Sequence, residues 1–177
     1  SPVGNFRWSF ITKPRDNLSG VSQFSITVNM SEDTAQPLIE EIMEVWKESG
    51  IKKQMKSAGY KTEDDGTVSF NFKTNATFAD GSANSVTLFD SKGKKVDLGT
   101  KLMGNGSTGR VKGLAASYES GANAGVTLYL NAVQIMKFVE FEGGESFDAL
   151  EGDGFTGIEL DDPFEAPAPA ASNIPSF

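Results

Sequence analysis

Three stretches of this chain alternate apolar and polar side chains with a period of two, and that period confines them to sheet rather than helix. In NFRWSFITK, Phe6, Trp8 and Phe10 stand against Arg7, Ser9 and Lys13. In SQFSITVNM, Phe24, Ile26, Val28 and Met30 stand against Gln23, Ser25, Thr27 and Asn29. DDGTVSFNFKTNATF opens on a turn and then sets Val68, Phe70, Phe72, Ala76 and Phe78 against Ser69, Asn71, Lys73, Asn75 and Thr77. Each predicts a half-buried strand. SVTLFDSKGKKVDL reads as a hairpin, and GRVKGLAASYES and GVTLYLNAVQIMKFVEF supply two further strands, the second long enough to need a bend or bulge. Helical spacing occurs once, in TAQPLIEEIMEVWKESG, where Leu38, Ile39, Ile42, Met43 and Trp46 share a face, Pro37 suits a first turn and Gly50 a stop. The pattern allows that helix to continue through IKKQMKS. Five or six strands, one helix and Gly/Asn/Ser turns make a mainly β fold, a small barrel or a sandwich.

Regularity stops after FEGGES, and DDPFEAPAPAASNIPSF has the Pro/Ala-rich composition of a flexible linker. The expected organisation is one domain over residues 1–142 and a disordered acidic tail over 143–177. The formal net charge is −8, with 16 basic and 24 acidic residues, but it is unevenly spread. No basic residue follows Lys137, while ten acids lie between Glu140 and Glu165, so residues 1–137 carry 16 bases against 14 acids, or +2. Nine of those acids fall within residues 31–65, which leaves the rest of the body basic and the tail its electrostatic opposite.

There is no cysteine and no histidine. Disulfide frameworks, thiolate metal sites, His-ligated zinc and Ser/His/Asp or Cys/His nucleophiles are therefore excluded. No apolar run approaches the roughly 18 residues of a membrane helix. GNGSTGR looks like a phosphate-cradling loop, yet Arg110 is followed by Val111 where a Walker A motif needs Lys and then Ser/Thr, so it reads as a Gly-rich strand connection. Asp64-Asp65 and Asp161-Asp162 are adjacent carboxylates without the fixed geometry of an acid pair or a metal site, and no metal or cofactor is expected. What remains is a sheet face that mixes small polar residues with Lys13, Lys73, Arg110, Lys112 and Tyr129, beside the lysine-rich SKGKK. Cations that track phosphates, interleaved with aromatics that stack bases, are the makings of a single-strand binding surface.

DGTVSFNFKTNATF, then DSKGKK, then GRVKGLAASYESGANAGVTLYLNAVQIMKFVEF followed by a Gly-Gly acidic tail, together resemble the single-stranded DNA-binding proteins of T-seven-like short-tailed phages. The resemblance runs in order from about Phe6 to Phe141 and places the helix alike. It implies an oligonucleotide-binding (OB) barrel that coats single-stranded DNA in phage replication and recombination, in the cytoplasm of an infected bacterium. It also implies a homodimer, and DNA contacts at Lys73 and Tyr118. An aromatic that the family pattern places just beyond Tyr118 is Ser120 here, next to Glu119. The implied tail partners are the replication polymerase and helicase-primase. Asp161 and Asp162 would compete with DNA for a cationic groove, while Ile174, Pro175 and Phe177 would enter an apolar pocket on a partner and offer it a carboxylate. Two other classes stay open on the residues alone: a phage structural or protein-binding β-domain without a nucleic-acid role, and a carboxylate-dependent metal nuclease. The second would need convergent acids on a rigid sheet, whereas Asp16, Asp80, Asp90, Asp97 and Glu119 are scattered.

Overall fold

In a computed structural model, the structure describes residues 1–141. Every stretch with period-two alternation is a strand. Strands β1 (Gly4–Asp16) and β2 (Ser22–Ser31) form an antiparallel pair, and helix α1 (Glu32–Glu48) follows directly. Then come β3 (Tyr60–Thr62), β4 (Thr67–Asn75), the short β5 (Thr87–Phe89) and β6 (Lys95–Val96), and the long hairpin β7 (Thr108–Ser120) and β8 (Asn123–Lys137). Among the described residues, eight strands thus replace the five or six expected. The predicted hairpin contributes two short ones, β5 and β6, and the addition is β3, three residues long and too short to leave a periodic signature.

Five of the strands close into a ring. β2 lies between β1 and β4, β1 reaches β7 through Gly4–Gly109 and Asn5–Thr108, and β7 runs antiparallel to β8. A short parallel pairing, Phe72 with Leu128 and Lys73 with Tyr129, joins β4 to β8 and completes a small barrel of the OB type. At the other end of β4 the ring is sealed by a wedge. The segment before β3 lies between the two strands, with the amide of Asn71 donating to the Gly59 carbonyl and the amide of Val126 to that of Ser57. This close approach requires Gly125, since a Cβ there would run into the Ser57 carbonyl oxygen.

Phe6, Ile26, Val28, Phe70, Phe72, Val126 and Leu128 fill the interior, as the alternation predicts. Helix α1 packs on β2, β4, β7 and β8, and buries Ala35, Leu38 and Ile42. It does not extend through IKKQMKS. Gly50 takes φ +65°, the Ser49 hydroxyl bonds the Trp46 carbonyl, and the chain turns to β8, where the amide of Lys56 donates to the Ala124 carbonyl. The expected bulge in the last strand is present twice. Asn131 and Met136 are extra residues relative to β7, at the breaks between Lys112 and Gly113 and between Thr108 and Gly109.

Two residues of the alternation behave otherwise: β4 ends at Asn75, which leaves Phe78 beyond the strand and exposed, and Trp8 turns outward within β1. Trp8 stands in the expected apolar row of β1 between Phe6 and Phe10, yet Phe6 is wholly buried while Trp8 is 67% exposed. A register break between Arg7 and Phe10 inserts one extra residue, and Trp8 adopts φ +49°, which turns its indole away from the interior.

Candidate nucleic-acid interface

The outward face of β2 and β4 forms the floor of a groove of about 630 Å³. Since Val68, Phe70 and Phe72 point inward, Ser69, Asn71 and Lys73 must point out, and Thr27 joins them as the register partner of Asn71. Arg7, opposite Thr27, and Trp8 supply one wall from β1. Tyr60, Lys61 and Glu63 supply another from β3 and its continuation, and Tyr118 and Thr127 come from the β7–β8 hairpin. No residue of α1 lines the groove, so the acids concentrated on the helix are kept away from it.

Three cations, Arg7, Lys61 and Lys73, stand among these residues with a single acid. Glu63 accepts a hydrogen bond from the Lys61 ammonium at 3.0 Å, and the neighbouring Ser69 hydroxyl and then Lys61 hold its carboxyl below the usual range. Asn29, buried beneath this face, is satisfied by donating to Thr67 and Ser69 hydroxyls at 2.8 and 3.0 Å. The ring of Tyr60 packs on Phe70, with centroids 5.7 Å apart. The floor is thus polar and cationic, with Trp8, Tyr60 and Tyr118 around it.

Trp8 is held by its surroundings. Its amide donates to the Asn105 side-chain oxygen at 3.1 Å, which fixes the left-handed backbone. A non-glycine residue in that region costs about 1–3 kcal/mol and persists where neighbours impose it, frequently at functional sites. Beyond Trp8 lies a second, more apolar pocket of about 360 Å³, between β1 and the 102–105 segment.

Of the residues singled out from sequence, Lys73 and Tyr118 line the groove together. Tyr129 is the register partner of Lys73 and 46% exposed, with the exposed Leu114 opposite it on β7, but it does not line the groove. Lys13 lines the second pocket. Arg110 and Lys112 are exposed further along β7, where the Arg110 guanidinium donates to Gln134 at 2.7 Å, and neither lines the groove. Asp161, Asp162, Ile174, Pro175 and Phe177 lie outside the described residues. Sequence reasoning missed Arg7, Trp8 and Tyr60, and also the lysines of IKKQMKS. Lys53 bonds the Gly121 carbonyl and Glu119 at the tip of the β7–β8 hairpin, and Lys56 bonds Asn123 there. A signal for these lysines was available in their density, which the helical reading absorbed. Among the described residues no group of three acids is placed to hold a metal ion.

No protein-family model matches the chain, and no curated protein matches it. Solved structures do share its fold. Superposition on gp2.5, a single-stranded DNA-binding protein encoded by bacteriophage T7, gives a TM-score of 0.71 at 23% identity, covering 89% of this chain and 97% of that one. The single-stranded DNA-binding protein from bacteriophage Enc34 gives 0.59 at 16% identity over 82% of this chain and 84% of that one. The same protein in complex with single-stranded DNA gives 0.56 at 16% identity, over 79% and 87%.

Proposed function

We propose that this chain is a non-catalytic single-stranded DNA-binding protein that coats exposed strands during phage replication and recombination. The observation that carries the reading is the groove on the outward face of β2 and β4. It lies on the face that OB barrels use for oligonucleotides, and it combines Arg7, Lys61 and Lys73 with the rings of Trp8, Tyr60 and Tyr118. The phage DNA-binding proteins that share the fold, one of them solved with single-stranded DNA, support the same reading.

Binding of this kind is led by phosphate neutralisation and is blind to sequence, because every base offers a face to an aromatic ring. Recruitment of the polymerase and helicase-primase by the tail, the homodimer and a site of action in the host cytoplasm are further parts of the proposal. They rest on the resemblance and on the acidic composition of residues 143–177.

Fluorescence anisotropy with labelled single- and double-stranded oligonucleotides at two salt concentrations tests the core of it. Single strands should bind more tightly than duplex, and affinity should fall steeply as salt rises. Lys73→Ala should reduce the log-log salt slope by about 0.7, the loss of one single-strand phosphate contact. Absence of single-strand binding, or an affinity indifferent to salt, overturns the proposal.

A further inference from the structure

The pocket beyond Trp8 has features that the groove does not explain. Its walls are Trp8, Phe10, Leu102 and Phe141, with Phe141 55% and Leu102 39% exposed, and its volume of about 360 Å³ is at the small end of ligand sites. Lys13 and Arg15 stand beside it, and the Arg15 guanidinium sits 5.5 Å from the centre of the Phe10 ring. Neither cation forms an ion pair among the described residues. Ser9 also lines the pocket. Its hydroxyl is the buried side-chain polar atom that has no hydrogen-bond partner among the described residues.

An apolar slot with aromatic walls and two cations beside it is complementary to a flat heterocycle that carries a phosphate. Trp8 belongs to both cavities, so a strand lying in the groove can pass from one to the other without leaving the protein. We propose that this pocket is a subsite for one unstacked nucleobase of the bound single strand. Trp8, Phe10 and Phe141 enclose the ring, and Lys13 and Arg15 hold the adjoining phosphate. The inference rests on the single-strand reading and deepens it, giving the site a fixed end where the groove alone would let a strand slide.

The test uses the whole chain and oligothymidylates lengthened one nucleotide at a time. Affinity should step up by about tenfold at the length that first reaches the pocket, a gain within the range of one base–aromatic contact. Leu102→Gln and Phe141→Ser, both at partly exposed positions, should each remove the step and leave shorter oligonucleotides bound as before. In parallel, an oligonucleotide carrying a single 5-iododeoxyuridine should photocrosslink to Trp8, Phe10 or Phe141 from one position only. A step that survives in both variants, or an equal loss at every length, overturns the subsite. So does a gain in affinity on Leu102→Gln, which would mean that the pocket holds the chain's own C-terminal segment. If the unaltered protein binds no single strand at any length, the proposed function fails and the subsite falls with it.

Discussion

Trp8 shows how a local pattern can be right about an element and wrong about a side chain. The alternation in NFRWSFITK forms a strand, but one extra residue between Arg7 and Phe10 and a φ of +49° turn an apparent core residue to the surface. Trp8→Gly separates the two roles that such a ring can have. Glycine takes positive φ without strain, so stability should stay level or rise by up to about 1 kcal/mol, after allowing for the greater backbone entropy that glycine loses on folding. Single-strand affinity should drop by the equivalent of about 1–3 kcal/mol, the usual worth of a stacked base. Denaturant unfolding beside anisotropy titration checks both, and a stability loss with affinity unchanged would assign Trp8 to packing. Glu63 gives the opposite sign. As the acid in the groove it should repel the strand, and Glu63→Gln should tighten binding a few-fold. Ser69 and Lys61 keep its carboxyl below the usual range, so this gain should persist as pH falls from neutrality to the ordinary carboxylate value of about 4. The same depression gives the folded state a contribution that is complete above the ordinary value and lost as pH falls through the lowered one.

The barrel closes through a narrow seam. The pairing of β4 with β8 spans only two residue pairs, and the rest of that seam is held by the 57–60 wedge. Gly125→Ala places a methyl against the Ser57 carbonyl and should destabilise the protein by about 1–3 kcal/mol, as overpacking of a tight site does. Tyr118 is the register partner of Gly125, so the groove wall should shift with the wedge and DNA affinity should weaken alongside stability. Urea unfolding and oligonucleotide titration of the one variant measure both. Stability equal to that of the unaltered protein would show that the wedge yields without cost. The strands themselves were legible because each half-buried row repeats every second residue. β3 and the wedge were not, since three residues show no period and their position is imposed by hydrogen bonds to β4 and β8.

Charge acts over the whole chain. Residues 1–137 carry +2, and eight of the ten acids that follow lie within residues 144–177, so on the proposed reading that stretch competes with DNA at roughly millimolar effective concentration. Deleting residues 144–177 should therefore strengthen single-strand binding, most at low salt where screening is weakest. Removing Phe177 alone should leave DNA affinity nearly unchanged, because all ten acids remain, while capture of a replication partner falls. Titrations of the three forms at two salt concentrations, with pull-down of the polymerase and helicase-primase, measure these outcomes. Low-salt affinity unaffected by the long deletion would reduce the tail to a solubilising appendage.

Strand identity, most of the inward rows, helix α1 and the separation of an acidic C-terminal stretch from a more basic body all follow from the order of residues, because periodicity and charge are local properties. So does the outward direction of Lys73, which its buried neighbours Phe70 and Phe72 dictate. Which strands meet is a different matter. The rung that joins Arg7, Thr27 and Asn71, the arrival of Tyr60 and Tyr118 at one groove and the exclusion of Arg110 and Lys112 from it arise from ring closure between segments far apart in the chain. The exposure of Trp8 depends likewise on a bulge and on Asn105, 97 residues away, because the energy that holds a strained backbone comes from contacts that no local pattern contains.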